Sequence, residues 1–132
     1  MNNDQLERLK TWFKNYVNGY YGADEVVSAH IELKEIHTAN VCRESAKLSD
    51  ELGLSDEQKI LAQALALFHD VGRFVQFAMH RTFSDQKSVN HSSLGAKILK
   101  ERGVLHGLEE KDAQIIETGV KLHGAKSLPA NL

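Results

Sequence analysis

Residues 62–70 read Ala62-Gln63-Ala64-Leu65-Ala66-Leu67-Phe68-His69-Asp70, an apolar helical run that stops on a histidine next to an aspartate, with Val71-Gly72-Arg73 closing the turn. A histidine and a carboxylate at the end of so apolar a helix lose their hydration unless something compensates them. A divalent cation does so. Imidazole nitrogen and carboxylate oxygen together suit Mn, Fe, Ni, Zn and Mg to differing degrees, so the pair points to metal more firmly than to any one metal.

Upstream, His37 lies in Lys34-Glu35-Ile36-His37-Thr38, inside a helical pattern that runs from Asp24 to Leu52. There His37, Val41, Leu48 and Leu52 fall near one stripe, which predicts that His37 points inward. The same spacing leaves open a core histidine satisfied by a backbone carbonyl. Downstream, His91 opens the run His91-Ser92-Ser93-Leu94-Gly95-Ala96-Lys97-Ile98-Leu99, with helical spacing at Leu94, Ile98 and Leu99 and a stop at Gly103. Ile116, Val120 and His123 share a face of a later helix, with Gly124 placed to end it. Helix termini let side chains from several helices meet at one ion without displacing core packing. His91 and His123 are therefore read as ligands, the alternative being solvated or capping residues. Of the other histidines, His30 is read as structural or exposed, and His80 and His106 as loop residues.

The rest of the pattern is all-helical. Gln5 to Tyr16 carries the stripe Leu6, Leu9, Trp12, Phe13 and Tyr16, expected to pack on the bundle, although an exposed aromatic face would equally serve a homodimer. Ser55-Asp56-Glu57-Gln58 is a capping-box pattern that starts the helix delivering His69 and Asp70, and Gly53 separates it from its predecessor. Glu109 to His123 forms the last helix, and Ser127-Leu128-Pro129-Ala130 breaks structure after it. The polar and aromatic stretch from His80 to Asn90 reads as a loop at the mouth of the site, where loops often select substrate.

At 132 residues and 42% hydrophobic, the chain is expected to bury one core as one domain. The single cysteine, Cys42, has no internal disulfide partner and reads as a buried small hydrophobe rather than a catalytic thiol, which suits a reducing compartment. Ile60 to Phe68, the longest apolar stretch, falls far short of the roughly 20 residues that cross a bilayer, and Met1-Asn2-Asn3-Asp4 begins no signal peptide. A soluble, cytoplasmic protein without membrane partners is expected. With a net charge of −2 and scattered Lys and Arg, no basic stripe marks a nucleic-acid polymer binder, so a small substrate is favoured.

The order His37, His69-Asp70, His91 and His123 resembles the HD-domain superfamily of metal-dependent phosphohydrolases, whose pattern is H…HD…D with extra histidines where two metals are held. The segments Lys34 to Thr38, His69 to Phe77, and Thr82-Phe83-Ser84-Asp85 leading to Asn90-His91 look like the small bacterial members, and the likeness covers most of residues 30 to 125. It implies a single helical bundle of about five to six helices over 1–132. One departure stands out. The family's last ligand is an aspartate downstream of the segment resembling His123, whereas the last aspartate here is Asp112. The expectation is that the chain is a truncated piece; a ligand from a partner or an incomplete site are the other readings. Asp85 does not inherit the role, because it belongs to the loop before His91.

The resemblance implies one or two divalent ions held by His37, His69, Asp70, His91 and His123, with the two oxygens of Asp70 as the natural bridge. A water made acidic by the metal would then hydrolyse a phosphomonoester or nucleotide. Asp70 and Arg73 carry the expected catalytic weight. Arg73 is the first candidate for phosphate oxygens because guanidinium meets them in a bidentate fork, followed by Lys34 and Arg81, with Gln76 reading a base or sugar hydroxyl. A catalytically inactive HD-like ligand-binding or regulatory module is the alternative function.

Overall fold

A computed structural model describes residues 1–22 and 24–123, and these form six helices and no strand. In chain order they are α1 (Asn3–Asn18), α2 (Glu25–Glu51), α3 (Asp56–Phe68), α4 (Gly72–His80), α5 (His91–Glu101) and α6 (Glu110–Leu122). The all-helical bundle matches the expected fold class. Gly124 and the Ser127–Ala130 break lie outside the described residues.

Local chemistry explains most of the boundaries. The expected box at Ser55 is formed: Ser55 Oγ accepts from the Gln58 backbone N–H at 3.2 Å, and Gln58 Oε1 accepts from the Ser55 N–H at 2.9 Å. Asn2 and Gln5 build the same reciprocal cap on α1, while Asp24 and Asn90 cap α2 and α5 through single side-chain bonds. Gly53 and Gly103, with φ of 65° and 60°, turn the chain out of α2 and α5 in the left-handed region that glycine enters without a Cβ clash.

The core is centred on Phe68, Phe74, Leu9, Ile31, Leu99 and Ile116, all essentially without solvent contact. The aromatic stripe of α1 is covered by the chain itself. Trp12 meets Phe68 edge-on and Phe13 meets Phe74 likewise, with ring centroids 6.0 and 5.7 Å apart. That stripe therefore packs on the bundle, with Trp12 half-buried at its edge.

Two sequence expectations change here. On α2 the stripe through His37, Val41, Leu48 and Leu52 is not the core stripe, since Leu48 is 55% and Leu52 64% exposed. The buried positions are Val27, Ile31, Thr38 and Ser49. Two of these are polar, so an apolar count finds the wrong face. Small and polar contacts hold α2 to α3, including Gln63 Nε2 donating to the Cys42 carbonyl at 2.8 Å. His80, read as a loop residue, ends α4, a helix that begins only two residues after Asp70.

Candidate metal centre

The end of α3 and the start of α4 deliver His69 and Asp70 into the middle of the bundle, where α2, α5 and α6 each contribute one histidine. Asp70 is buried at 5% exposure. Its Oδ2 lies 3.3 Å from Nε2 of His37 and 3.3 Å from Nε2 of His69, while its Oδ1 lies 3.3 Å from Nε2 of His91 and 3.3 Å from Nε2 of His123. Each oxygen thus faces its own pair of imidazoles. Within the pairs, the Nε2 atoms are 3.3 Å apart for His37 and His69, and 2.9 Å apart for His91 and His123.

A glycine makes this convergence possible. A Cβ on Gly72 would sit 2.1 Å from the His91 carbonyl oxygen and 2.8 Å from the Gly95 nitrogen, so only glycine lets the start of α4 lie against the start of α5. That approach sets Asp70 beside His91.

Proton positions follow from the outer ring atoms. Nδ1 of His69 is 2.6 Å from the Ala66 carbonyl, Nδ1 of His123 is 3.1 Å from the Val120 carbonyl, and Nδ1 of His91 is 2.8 Å from Asp85 Oδ2. Carbonyls and carboxylates only accept, so in the neutral rings Nδ1 carries the hydrogen and Nε2 carries a lone pair. In the His91 and His123 pair, two such lone pairs face each other at hydrogen-bond distance, beside a carboxylate oxygen. Protonation or a shared cation resolves that conflict.

The electrostatics show both tendencies. Burial on its own would raise the Asp70 carboxyl, but hydrogen bonds from His123, His69 and His91 outweigh it and hold the group well below the usual carboxylate range. His123 is raised above its ordinary value, first by the hydrogen bond to Asp70 and against the opposing effect of burial. His37 is lowered, first by burial, with the Asp70 charge opposing and Lys34 reinforcing the shift.

The donor set fits a divalent ion. Donors about 2.0–2.1 Å from a common cation stand roughly 3.3–3.4 Å apart at tetrahedral angles. Among the described residues two groups bring their ligand atoms within 4.8 Å of one another: His37, His69 and Asp70, and Asp70, His91 and His123. The five residues marked as ligands in the sequence are thus brought together. The side chain of His37 is 46% exposed and that of His91 only 4%, so the site opens on the α2 side.

The other marked residues divide. Lys34 Nζ is 3.8 Å from Asp70 Oδ2 and 5.0 Å from the centre of the Phe83 ring, at the edge of the cluster. Arg73 reaches the cluster through Nε, buried without a hydrogen-bond partner and 3.9 Å from Asp70 Oδ1. Its Nη1 is committed to the Phe83 carbonyl, Asp85 Oδ1 and Gln76 Oε1 at 2.6, 3.1 and 3.0 Å, so the bidentate fork expected of Arg73 is already half engaged. Gln76 is fully buried, with Nε2 donating to Asp85, Ser88 and Val89, and has no face for a base or sugar hydroxyl. Arg81 is exposed and pairs with Asp24 at 2.8 Å, without contact to the histidines. Two polar neighbours were missed in the sequence. Ser92 Oγ lies 3.1 Å from His123 Nδ1, and Asp85, set aside as a loop residue, is bonded to His91. The only signal for Asp85 was its place six residues before His91.

A family model described as HD domain matches residues 35–129, most of the chain and all five clustered residues. No curated protein and no solved structure matches the chain.

Proposed function

The chain belongs to the HD-domain family, generally metal-dependent hydrolases, and from that premise we propose that it is a metal-dependent phosphohydrolase acting on a phosphomonoester or nucleotide. The observation that supports this reading is the division of Asp70, each of whose oxygens faces two imidazole nitrogens. His37, His69 and Asp70 Oδ2 would hold one divalent ion, and Asp70 Oδ1, His91 and His123 a second. Such an ion supplies an acidified water near neutral pH and polarises a phosphoryl oxygen.

The chain's own cations complete the site. Lys34 Nζ and Arg73 lie on opposite oxygens of Asp70 and are placed to meet non-reacting phosphate oxygens, Lys34 as a point charge and Arg73 through guanidinium donors other than the anchored Nη1. Asp70 is held well below the usual carboxylate range, so it offers an ionised oxygen to each group of ligands.

The test is metal analysis of the purified chain followed by phosphate release from aryl phosphates and nucleotides with Mn, Fe, Ni, Zn or Mg added. Release abolished by Asp70→Ala is expected. Retained metal without release under any condition would instead make the chain a binding or regulatory module. Neither metal nor release would overturn the metal-centre reading itself.

A further inference from the structure

The loop between α4 and α5 reaches the metal centre through one carboxylate. Asp85 Oδ2 accepts from His91 Nδ1 at 2.8 Å, and Asp85 Oδ1 collects the anchoring donors: Gln76 Nε2 at 2.9 Å, Arg73 Nη1 at 3.1 Å and the His91 backbone N–H at 3.3 Å. Oδ2 makes the shorter contact to the imidazole, which also lies 3.1 Å from Oδ1, and Oδ1 ties the loop to α4. Gln76 has no solvent contact, so its amide is fixed, and with it the direction in which Asp85 points. The other two histidines with assigned rings rest Nδ1 on neutral backbone carbonyls, Ala66 for His69 and Val120 for His123. Among those three, His91 alone has a full negative charge behind it.

We propose that Asp85 is a positioning residue that fixes His91 as the Nδ1–H tautomer, aims its Nε2 at the ion between Asp70 and His123, and makes this the tighter of the two ion sites. The inference rests on the metal-binding reading above. A carboxylate behind a ligating imidazole raises the basicity of the ligand nitrogen and removes the wrong tautomer. The opposite site lacks this support: Lys34 stands 3.8 Å from Asp70 Oδ2, and the His37 side chain is 46% exposed. On the His91 side the nearby Arg73 charge is offset by Asp85 itself, 3.1 Å from Nη1.

Calorimetric titration of the metal-free protein with Mn²⁺ tests this, comparing wild type, Asp85→Asn and Ser88→Ala. Ser88→Ala removes one of the Gln76 bonds to the same loop, and the bond from Ser88 to the Ser84 carbonyl, without touching His91. Two binding steps are expected in wild type, the tighter weakened about 10–100-fold in Asp85→Asn and the weaker left in place. Ser88→Ala should keep both. Equal weakening of the two steps, or none, overturns the proposal, as does the same loss in Ser88→Ala, which would reduce Asp85 to a loop anchor. Should Asp85→Asn fail to fold, long-range ¹H–¹⁵N spectra of wild-type histidines, taken metal-free above the imidazole titration range, still decide. His91 protonated on Nδ1 supports the proposal, and protonation on Nε2 overturns it. A wild type that binds no Mn²⁺ sinks the metal-centre reading, while the tautomer measurement judges Asp85 by itself.

Discussion

Asp70 has two oxygens and four imidazole neighbours, so replacing it removes the one group shared by both sets of ligands. Asp70→Asn is expected to abolish retention of both ions, whereas His37→Ala should release only the ion on the Oδ2 side; metal-to-protein ratios after gel filtration distinguish them. The same carboxylate sets how stability responds to pH without metal. Asp70 and Asp85 both titrate below their ordinary value of 3.8 in the folded chain, so their contribution is present above that pH and is lost as pH falls through the depressed folded values. His123 acts in the opposite sense. Its folded value lies above the ordinary 6.5, so its contribution is complete below 6.5 and fades as pH rises through the raised value. Urea unfolding of metal-free protein should therefore show wild type exceeding Asp70→Asn by a margin that shrinks in acid. Its margin over His123→Gln should shrink toward alkaline pH. Lys34→Met, at the edge of the cluster, is expected to raise KM for a phosphate ester without lowering metal content, and steady-state kinetics beside metal analysis checks both.

The elements matter through where they end. Gly72 opens α4 against the carbonyl of His91, and a methyl group there has no room because its neighbours are backbone. Gly72→Ala should destabilise the fold by roughly 1–3 kcal/mol or more through overpacking, read as a lower denaturant midpoint at unchanged slope, and should weaken metal retention by parting Asp70 from His91. Ser55→Ala, at the far end of α3, is expected to cost about 1 kcal/mol as a lost cap with no change in metal content. Helix ends of this kind were readable in the sequence. Ser55 with Gln58, Gly103, and the His91 and His123 termini all lie where local hydrogen-bonding preference put them, and the all-helical class followed from their spacing. The core face of α2 was not readable, because Thr38 and Ser49 occupy it while Leu48 and Leu52 face solvent. A short helix such as α4, starting two residues after Asp70, is fixed by the fit of Gly72 to α5 rather than by any local signal. The burial of Gln76 and the grip of Asp85 on His91 are tertiary facts with no periodic trace.

For the molecule as a whole, five helices converge on one buried carboxylate, and ion binding should therefore be coupled to folding. Binding to the folded state alone adds about 2.7 kcal/mol at an ion concentration of 100 Kd, so chelation is expected to lower the melting temperature and Mn²⁺ to restore it in wild type but not in Asp70→Asn. No described helix is long and apolar enough to cross a membrane, and the site is instead reached from the exposed edge of α2 at His37. Whether Asp70 and its imidazoles embrace metal is decided most directly by anomalous diffraction from crystals of the chain grown with Mn²⁺. Expected are peaks between Asp70 Oδ2, His37 and His69, and between Asp70 Oδ1, His91 and His123. A protein that crystallises with those nitrogens hydrogen-bonded to Asp70 and its Mn²⁺ bound elsewhere, or not at all, would contradict the metal centre.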